Sequence, residues 1–442
     1  MAKPKTLFVC QQCGVEFPKW LGRCSECGEW NSLVEVSRVT STRPLSTQAP
    51  LAKPQKFSQI KSVKRIRLKT GIVELDRVLG GGIIPGSVVL LAGEPGIGKS
   101  TLMLQLAGSL SQKKSKAQTW YVSGEESLQQ TKIRAERLGI KSDNLLFLAE
   151  ADVDRIIETF NQGKDSSRLL VIIDSVQTLF TARLSGVAGS VGQVRESTAL
   201  LLKYAKQTNV PLFLVGHVTK EGAIAGPKIL EHMVDTVVYF EGEKFGSVRL
   251  LRATKNRFGP TDEVGIFEMT DKGLVGVTNP SKLFLKGRGW QVPGSVAVAT
   301  IEGTRSVLVE IQALVVPTQL SVPRRVSQGI DYHRLLLISA VLSRRLGLPM
   351  AGFDIYVKIT SGLRIEEPAA DLGVALAIIS SFKNKPMPAK TICFGEVGLL
   401  GEIREASQAN QRVKEAKRLG FETVISSANF HFLGQAAKAL FR

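Results

Sequence analysis

Between Gly93 and Ser100 the chain reads GEPGIGKS, with the apolar run SVVLLA directly before it and the helix-forming TLMLQLAGSL after it. A loop of this kind can grip an anion only where backbone N–H groups converge at the first turn of a helix, just past the end of a buried strand. It therefore predicts an α/β fold built on a mostly parallel sheet. Strands are expected at 87–92, 119–123, 169–174, 211–217, 236–241 and 248–254, and helices at 99–112, 128–138 and 194–207. Short apolar runs separated by amphipathic stretches imply right-handed crossovers. Gly93, Glu94, Pro95, Gly96, Ile97, Gly98, Lys99, Ser100 and Thr101 are the expected nucleotide-binding residues. The N–H groups of Gly96, Gly98 and Lys99 would cradle phosphate oxygens. Lys99 would neutralise the β- and γ-phosphates of ATP, and Ser100 would ligate Mg2+.

Further chemistry is expected at the ends of the other strands. LLVIIDS puts Asp174 at the carboxyl end of an apolar run, where an acid can contact Mg2+ directly or through water. Ser175 follows it; a glutamate there would instead indicate an engine of the AAA+ type. In TWYVSGEES, Glu125 and Glu126 both follow a glycine, and either could orient an attacking water or cap the next helix. His217 ends PLFLVGH ahead of a glycine-rich loop at 218–228 that carries Lys220 and Lys228, so it is a candidate sensor of the γ-phosphate. KNRFG, from Lys255 to Gly259, follows a strand expected at the sheet edge. There Lys255 and Arg257 point the same way and could reach a phosphate or DNA.

The N-terminus imposes a second constraint. Cys10, Cys13, Cys24 and Cys27 form CQQC and CSEC, each followed by a glycine, a spacing that lets four thiolates close a tetrahedron around Zn2+. A unit of residues 1–36 is too short to bury a core of its own, so the metal would hold it together. A Ser-, Thr- and Pro-rich connection at 37–62 leads to an ATPase domain at 63–280, and an α+β unit occupies 284–442. In that unit apolar segments at 294–301 and 307–316 and helices at 331–346, 371–379 and 408–419 are expected. With 58 Lys and Arg against 39 Asp and Glu, the formal charge of +19 points to a polyanionic partner. No apolar run approaches the roughly 18 residues of a membrane helix, and no signal peptide is evident, so no membrane partner is expected and the cytoplasm is the expected location.

Taken in order, the four-Cys knuckle, TGIVELDRVLGGGI, GEPGIGKST, YVSGEES, VIIDS and KNRFG resemble the bacterial DNA repair protein RadA (Sms) family over the whole chain. The resemblance implies a RecA-like ATPase core in a homohexameric ring with ATP between subunits. It also implies Glu125 as the water-orienting carboxylate, and Lys255 and Arg257 as cations reaching across the interface. The implied activity is DNA-dependent ATP hydrolysis that drives branch migration on single-stranded and branched DNA, with the RecA recombinase as partner. The C-terminal unit is similar to the proteolytic domain of Lon. There EEPAADLG places Ala369 where the nucleophilic serine belongs, and the lysine position falls on Asn410. Without that Ser/Lys pair, covalent catalysis is not available. The unit would act as a scaffold, with DNA contacts by Arg324, Arg325, Arg344 and Arg345. Two other readings are a regulatory ATPase that controls protein partners and an ATP-dependent protease, the latter opposed by Ala369 and Ser175.

Overall fold

The computed structural model describes residues 5–10, 15–26, 28–38, 67–112, 117–162, 168–217, 227–242, 247–285, 292–360 and 363–441. Cys13, Cys27, Lys220 and most of the 37–62 connection lie outside these. The chain divides into two compact units. One comprises 1–241, 250–261 and 267–276, and the other 242–249, 262–266 and 277–442.

At the N-terminus β1 (Lys5–Cys10) pairs antiparallel with β2 (Glu16–Phe17) and β3 (Leu33–Arg38). Cys10, Cys24 and Leu33 are buried in one small cluster flanked by Phe8, Phe17 and Leu21. Beyond the connection, α1 (Val73–Val78) precedes a nine-stranded sheet. Its strands are β4 (Val88–Gly93), β5 (Gln118–Ser123), β6 (Leu145–Ala149), β7 (Arg168–Asp174), β8 (Leu212–His217), β9 (Thr236–Glu241), β10 (Val248–Asn256), β11 (Val264–Thr270) and β12 (Gly273–Gly276). They lie in the order β12-β11-β10-β9-β4-β8-β7-β5-β6. Strands β4 to β9 run parallel, whereas β10 runs antiparallel to β9.

Why β4 is central follows from its sequence. A strand covered on both faces must be apolar at every position, and VVLLAG is buried throughout. Val89 and Leu91 enter a core shared with α1 and α2 (Lys99–Ser111). Val88 and Leu90 enter the opposite core, built by α4 (Val153–Gln162) and α5 (Val191–Thr208). The remaining helices of this region are α3 (Leu128–Arg137), whose first turn is a capping box between Ser127 and Gln130, and the short α6 (Pro227–Glu231).

The second unit holds α7 (Pro280–Phe284), β13 (Ser295–Glu302), β14 (Arg305–Pro317), β15 (Arg325–Gln328), α8 (Tyr332–Leu346), β16 (Phe353–Ile359), α9 (Asp371–Lys383), β17 (Thr391–Cys393), β18 (Glu396–Val397), β19 (Ile403–Arg404), α10 (Ala409–Arg418), β20 (Thr423–Ile425) and α11 (Leu433–Leu440). Its six-stranded sheet has the order β15-β16-β14-β13-β17-β20. Among the four arginines expected to contact DNA, Arg325 has its guanidinium bound within the fold. Its guanidinium donates to the carbonyls of Arg324, Met350 and Phe353 and so ties the start of β15 to the 350–353 segment. Arg324, Arg344 and Arg345 are exposed.

Ala369 is buried at 4 % exposure, and Asn410 faces solvent on α10. Close by, Arg412 is fully buried. Its guanidinium donates to the Ala299 and Ser407 carbonyls and pairs with Glu367, while Glu367 also accepts from the Thr300 hydroxyl and the Ile301 N–H. Removing one partner of a buried pair strands the other charge. Arg412→Ala should therefore lower the unfolding free energy of this unit by about 3 kcal/mol, as read by chemical denaturation, while the double variant Arg412→Met, Glu367→Gln recovers part of the loss.

Candidate active site

Parallel pairing brings four strand ends to one edge of the sheet. Gly93 of β4 lies opposite His217 of β8, Val215 of β8 opposite Asp174 of β7, and Asp174 opposite Ser123 of β5. Ligands of open α/β sheets sit outside the carboxyl ends of the strands, so the residues just beyond these ends form the candidate site.

The loop after β4 is shaped by two glycines in the left-handed region, Gly96 at φ +77° and Gly98 at φ +113°. A Cβ on Gly96 would meet nothing within 4 Å, so the backbone there borders open space, whereas one on Gly98 would lie 2.6 Å from Met269 Cε. No side chain caps α2, and its first turn carries no acid among the described residues. Its N–H groups and dipole are thus left for an anion. Lys99 is only 3 % exposed, and its Nζ donates to the carbonyls of Gly93 and Glu94, each at 2.9 Å. Burial lowers its pKa to about 8 against the opposing pull of Asp174 and Glu125. This loop fits a nucleotide polyphosphate, with Ser100 and Thr101 half-buried in the first turn.

The carboxylates are sorted by their partners. Asp174 is 8 % exposed, and its Oδ2 accepts the Tyr121 hydroxyl at 2.5 Å. The Asp174–Ser175 peptide is cis. Glu126 is committed to the fold: its carboxylate pairs with Arg134 Nη1 at 2.5 Å and its N–H donates to Ser123 Oγ. Glu125 instead turns to the strand ends. Its Oε1 accepts the Ser175 hydroxyl at 2.6 Å and lies 3.8 Å from His217 Nε2, and the side chain keeps nearly half its exposure. A half-exposed carboxylate beside the cradle can orient and polarise a water.

Burial, and next the Lys99 charge, lowers the His217 pKa from its ordinary value, so the imidazole is neutral at pH 7. Gln177 Nε2 donates to the His217 carbonyl at 3.2 Å. The buried Gln177 Oε1 and His217 Nδ1 have no hydrogen-bond partner among the described residues. Residues 218–226, which follow His217 directly, lie outside the described residues. Tyr121 and Gln177 are absent from the expected site residues, and Ser175 enters there only as the place where a second acid is missing. The signal for Tyr121 is a phenol inside an otherwise buried strand, which must find an acceptor.

Lys255 and Arg257 lie elsewhere. Contrary to the expectation of an edge strand, β10 is internal, because β11 and β12 continue the sheet beyond it. Asn256 pairs with Thr236, which pairs with Val89, so the KNRFG turn sits at the end of the sheet opposite Gly93. Four extended residues separate the two ends, about 13 Å of strand. Lys255 Nζ donates to the Glu231 carbonyl at 2.6 Å, and Arg257 Nη1 lies 3.4 Å from Asp235 Oδ1. Gly259 permits the turn to touch the GGG segment, since a Cβ on it would sit 3.2 Å from Gly80 Cα.

In the N-terminal module the fit to Zn2+ rests on two thiols. Cys10 and Cys24 are each 1 % exposed and share one cluster. Gly28, at φ +75°, donates its N–H to the Cys24 carbonyl at 2.9 Å, the tight turn a knuckle needs beneath a metal. A Zn2+ ion there would cross-link the two turns.

Three family models match the chain: an AAA domain over residues 53–223, a rubredoxin metal-binding domain over 8–35, and subunit ChlI of Mg-chelatase over 338–429. The DNA repair protein RadA of Halalkalibacterium halodurans is 51% identical over 429 residues, covering 96% of this chain and 93% of that protein. The protein of the same name from Listeria monocytogenes is 50% identical over 431 residues, covering 97% and 93%. A crystal structure of the RadB recombinase aligns with 48% of this chain and 99% of its own, at 23% identity and a TM-score of 0.38.

Proposed function

Because this chain belongs to the DNA repair protein RadA family, we propose that it is a recombination motor that binds single-stranded and branched DNA and spends ATP to move the branch point. The observation that carries the reading is the convergence of Lys99, Asp174, Glu125 and His217 on one strand edge around an uncapped helix N-terminus. Lys99 leaves the Gly93 and Glu94 carbonyls for the phosphates of ATP. Asp174 and Ser100 would hold Mg2+, which would supply charge neutralisation of the phosphates. Glu125 orients the attacking water. His217 and Gln177 read the γ-phosphate and pass its state to the 218–226 loop.

Lys255 and Arg257 are too far from their own Gly93 to serve its nucleotide. We read them as reaching an adjacent copy in a homohexameric ring, where they couple its nucleotide state to movement on DNA. The net charge of +19 supports a DNA partner whose affinity falls steeply with salt. We read the zinc module as a docking element for the RecA recombinase, and the cytoplasm, where the chromosome lies, as the place of work. No helix among the described residues is long and apolar enough to cross a membrane.

Arg257→Ala tests the coupling. Asp235 keeps its pair with Lys206 at 2.5 Å in that variant, so the fold is retained. Appreciable ATP hydrolysis should remain while three-strand branch movement is lost; movement at the wild-type rate would remove Arg257 from the machinery.

A further inference from the structure

We propose that Tyr121 is a positioning residue for the metal carboxylate: its buried hydroxyl fixes the orientation in which Asp174 is presented at the mouth of the cradle. This rests on the reading of Asp174 as the Mg2+ carboxylate. On β5, Tyr121 lies opposite Ile172, and Ser123 lies opposite Asp174. The hydroxyl therefore reaches diagonally across the sheet to a residue two positions further along β7, a span within the reach of an aromatic side chain on the same face. The ring cannot wander. It is 1 % exposed, in a core with Ile172 and Leu170, and packs edge-on against Phe147 at 5.9 Å.

The chemistry of the donor matters as much as its place. A lysine or arginine in contact with Asp174 would neutralise the charge that a divalent cation needs, whereas a phenol occupies one oxygen and leaves the charge intact. A phenol is protonated at neutral pH, so it donates to the carboxylate and brings no charge of its own. Strand β7 ends at Asp174, so its backbone holds this residue at the strand terminus. Tyr121 supplies the second point of attachment.

The test uses the full chain with a slowly hydrolysed fluorescent ATP analogue, its affinity measured in EDTA and across an Mg2+ titration. Tyr121→Phe removes one oxygen and keeps the ring. Its metal-free affinity should stay within about twofold of wild type, while the Mg2+ concentration at half-maximal enhancement rises roughly tenfold, the scale of one hydrogen bond to a charged group. Asp174→Asn, measured alongside, should raise that concentration at least as much. An unchanged Mg2+ requirement in Tyr121→Phe with a raised one in Asp174→Asn overturns the role of Tyr121 alone. Equal losses with and without metal would make Tyr121 a packing residue and overturn it as well. No change in either variant would overturn the metal reading of Asp174, and the proposal with it.

Discussion

Glu125→Gln should slow ATP hydrolysis by roughly 10²–10⁴-fold and leave nucleotide affinity near that of the wild type, whereas Glu126→Gln should cost far less turnover. The two residues are adjacent in sequence, and only their partners separate them. Glu126 is paired with Arg134 at 2.5 Å, so it cannot turn to a water at the cradle without giving up that ion pair. Glu125 accepts one hydrogen bond, from Ser175 at 2.6 Å, and remains half-exposed toward His217 and Lys99. An amide in its place keeps the shape but loses the charge that polarises a water. Initial rates at saturating ATP, together with affinity for a non-hydrolysable analogue, distinguish the two variants. A larger loss in Glu126→Gln would reverse the assignment.

How much of this was legible in the sequence depends on how local each feature is. GEPGIGKS, the apolar strands that become β4 and β7, and Asp174 at the end of one of them are contiguous patterns, and each fixes its own surroundings. Element positions in the second unit follow the same logic: α9 is apolar on every side because it is buried on every side. Strand β6 and helix α4 fall outside the expected elements, although Val153, Ile156, Ile157 and Phe160 have helical spacing and three of them are fully buried. The place of β10 was harder. VGIFEMT mixes apolar and polar positions without clean alternation, and nothing local says that it lies beside β10 rather than starting a new sheet.

Side-chain partnerships across strands were the least accessible. The choice between Glu125 and Glu126 depends on Arg134, eight residues on, and the hold on Asp174 depends on a phenol fifty-three residues earlier. Arg412 shows the same limit from the other side. Sequence comparison with a protease marks Ala369 and Asn410 as losses, but it does not show that a buried arginine two residues beyond Asn410 ties the nearby Glu367 to the Ala299 and Ser407 carbonyls.

Lys99→Ala has the largest expected effect. Nζ is the buried cation of the cradle, held on the Gly93 and Glu94 carbonyls and lying near Asp174 and Glu125. Its removal takes away a charge-assisted contact to the phosphates and leaves two acidic groups beside a polyanion with less to offset them. Losing one such transition-state donor costs about 10²–10³ in rate, and weaker nucleotide binding adds to that, so hydrolysis should fall to background. The most direct test is three-strand branch movement by Lys99→Ala beside the wild type, with DNA binding checked in the same preparations. If ATP turnover at this loop drives the branch, the variant binds DNA and moves nothing; branch movement at the wild-type rate would contradict the account.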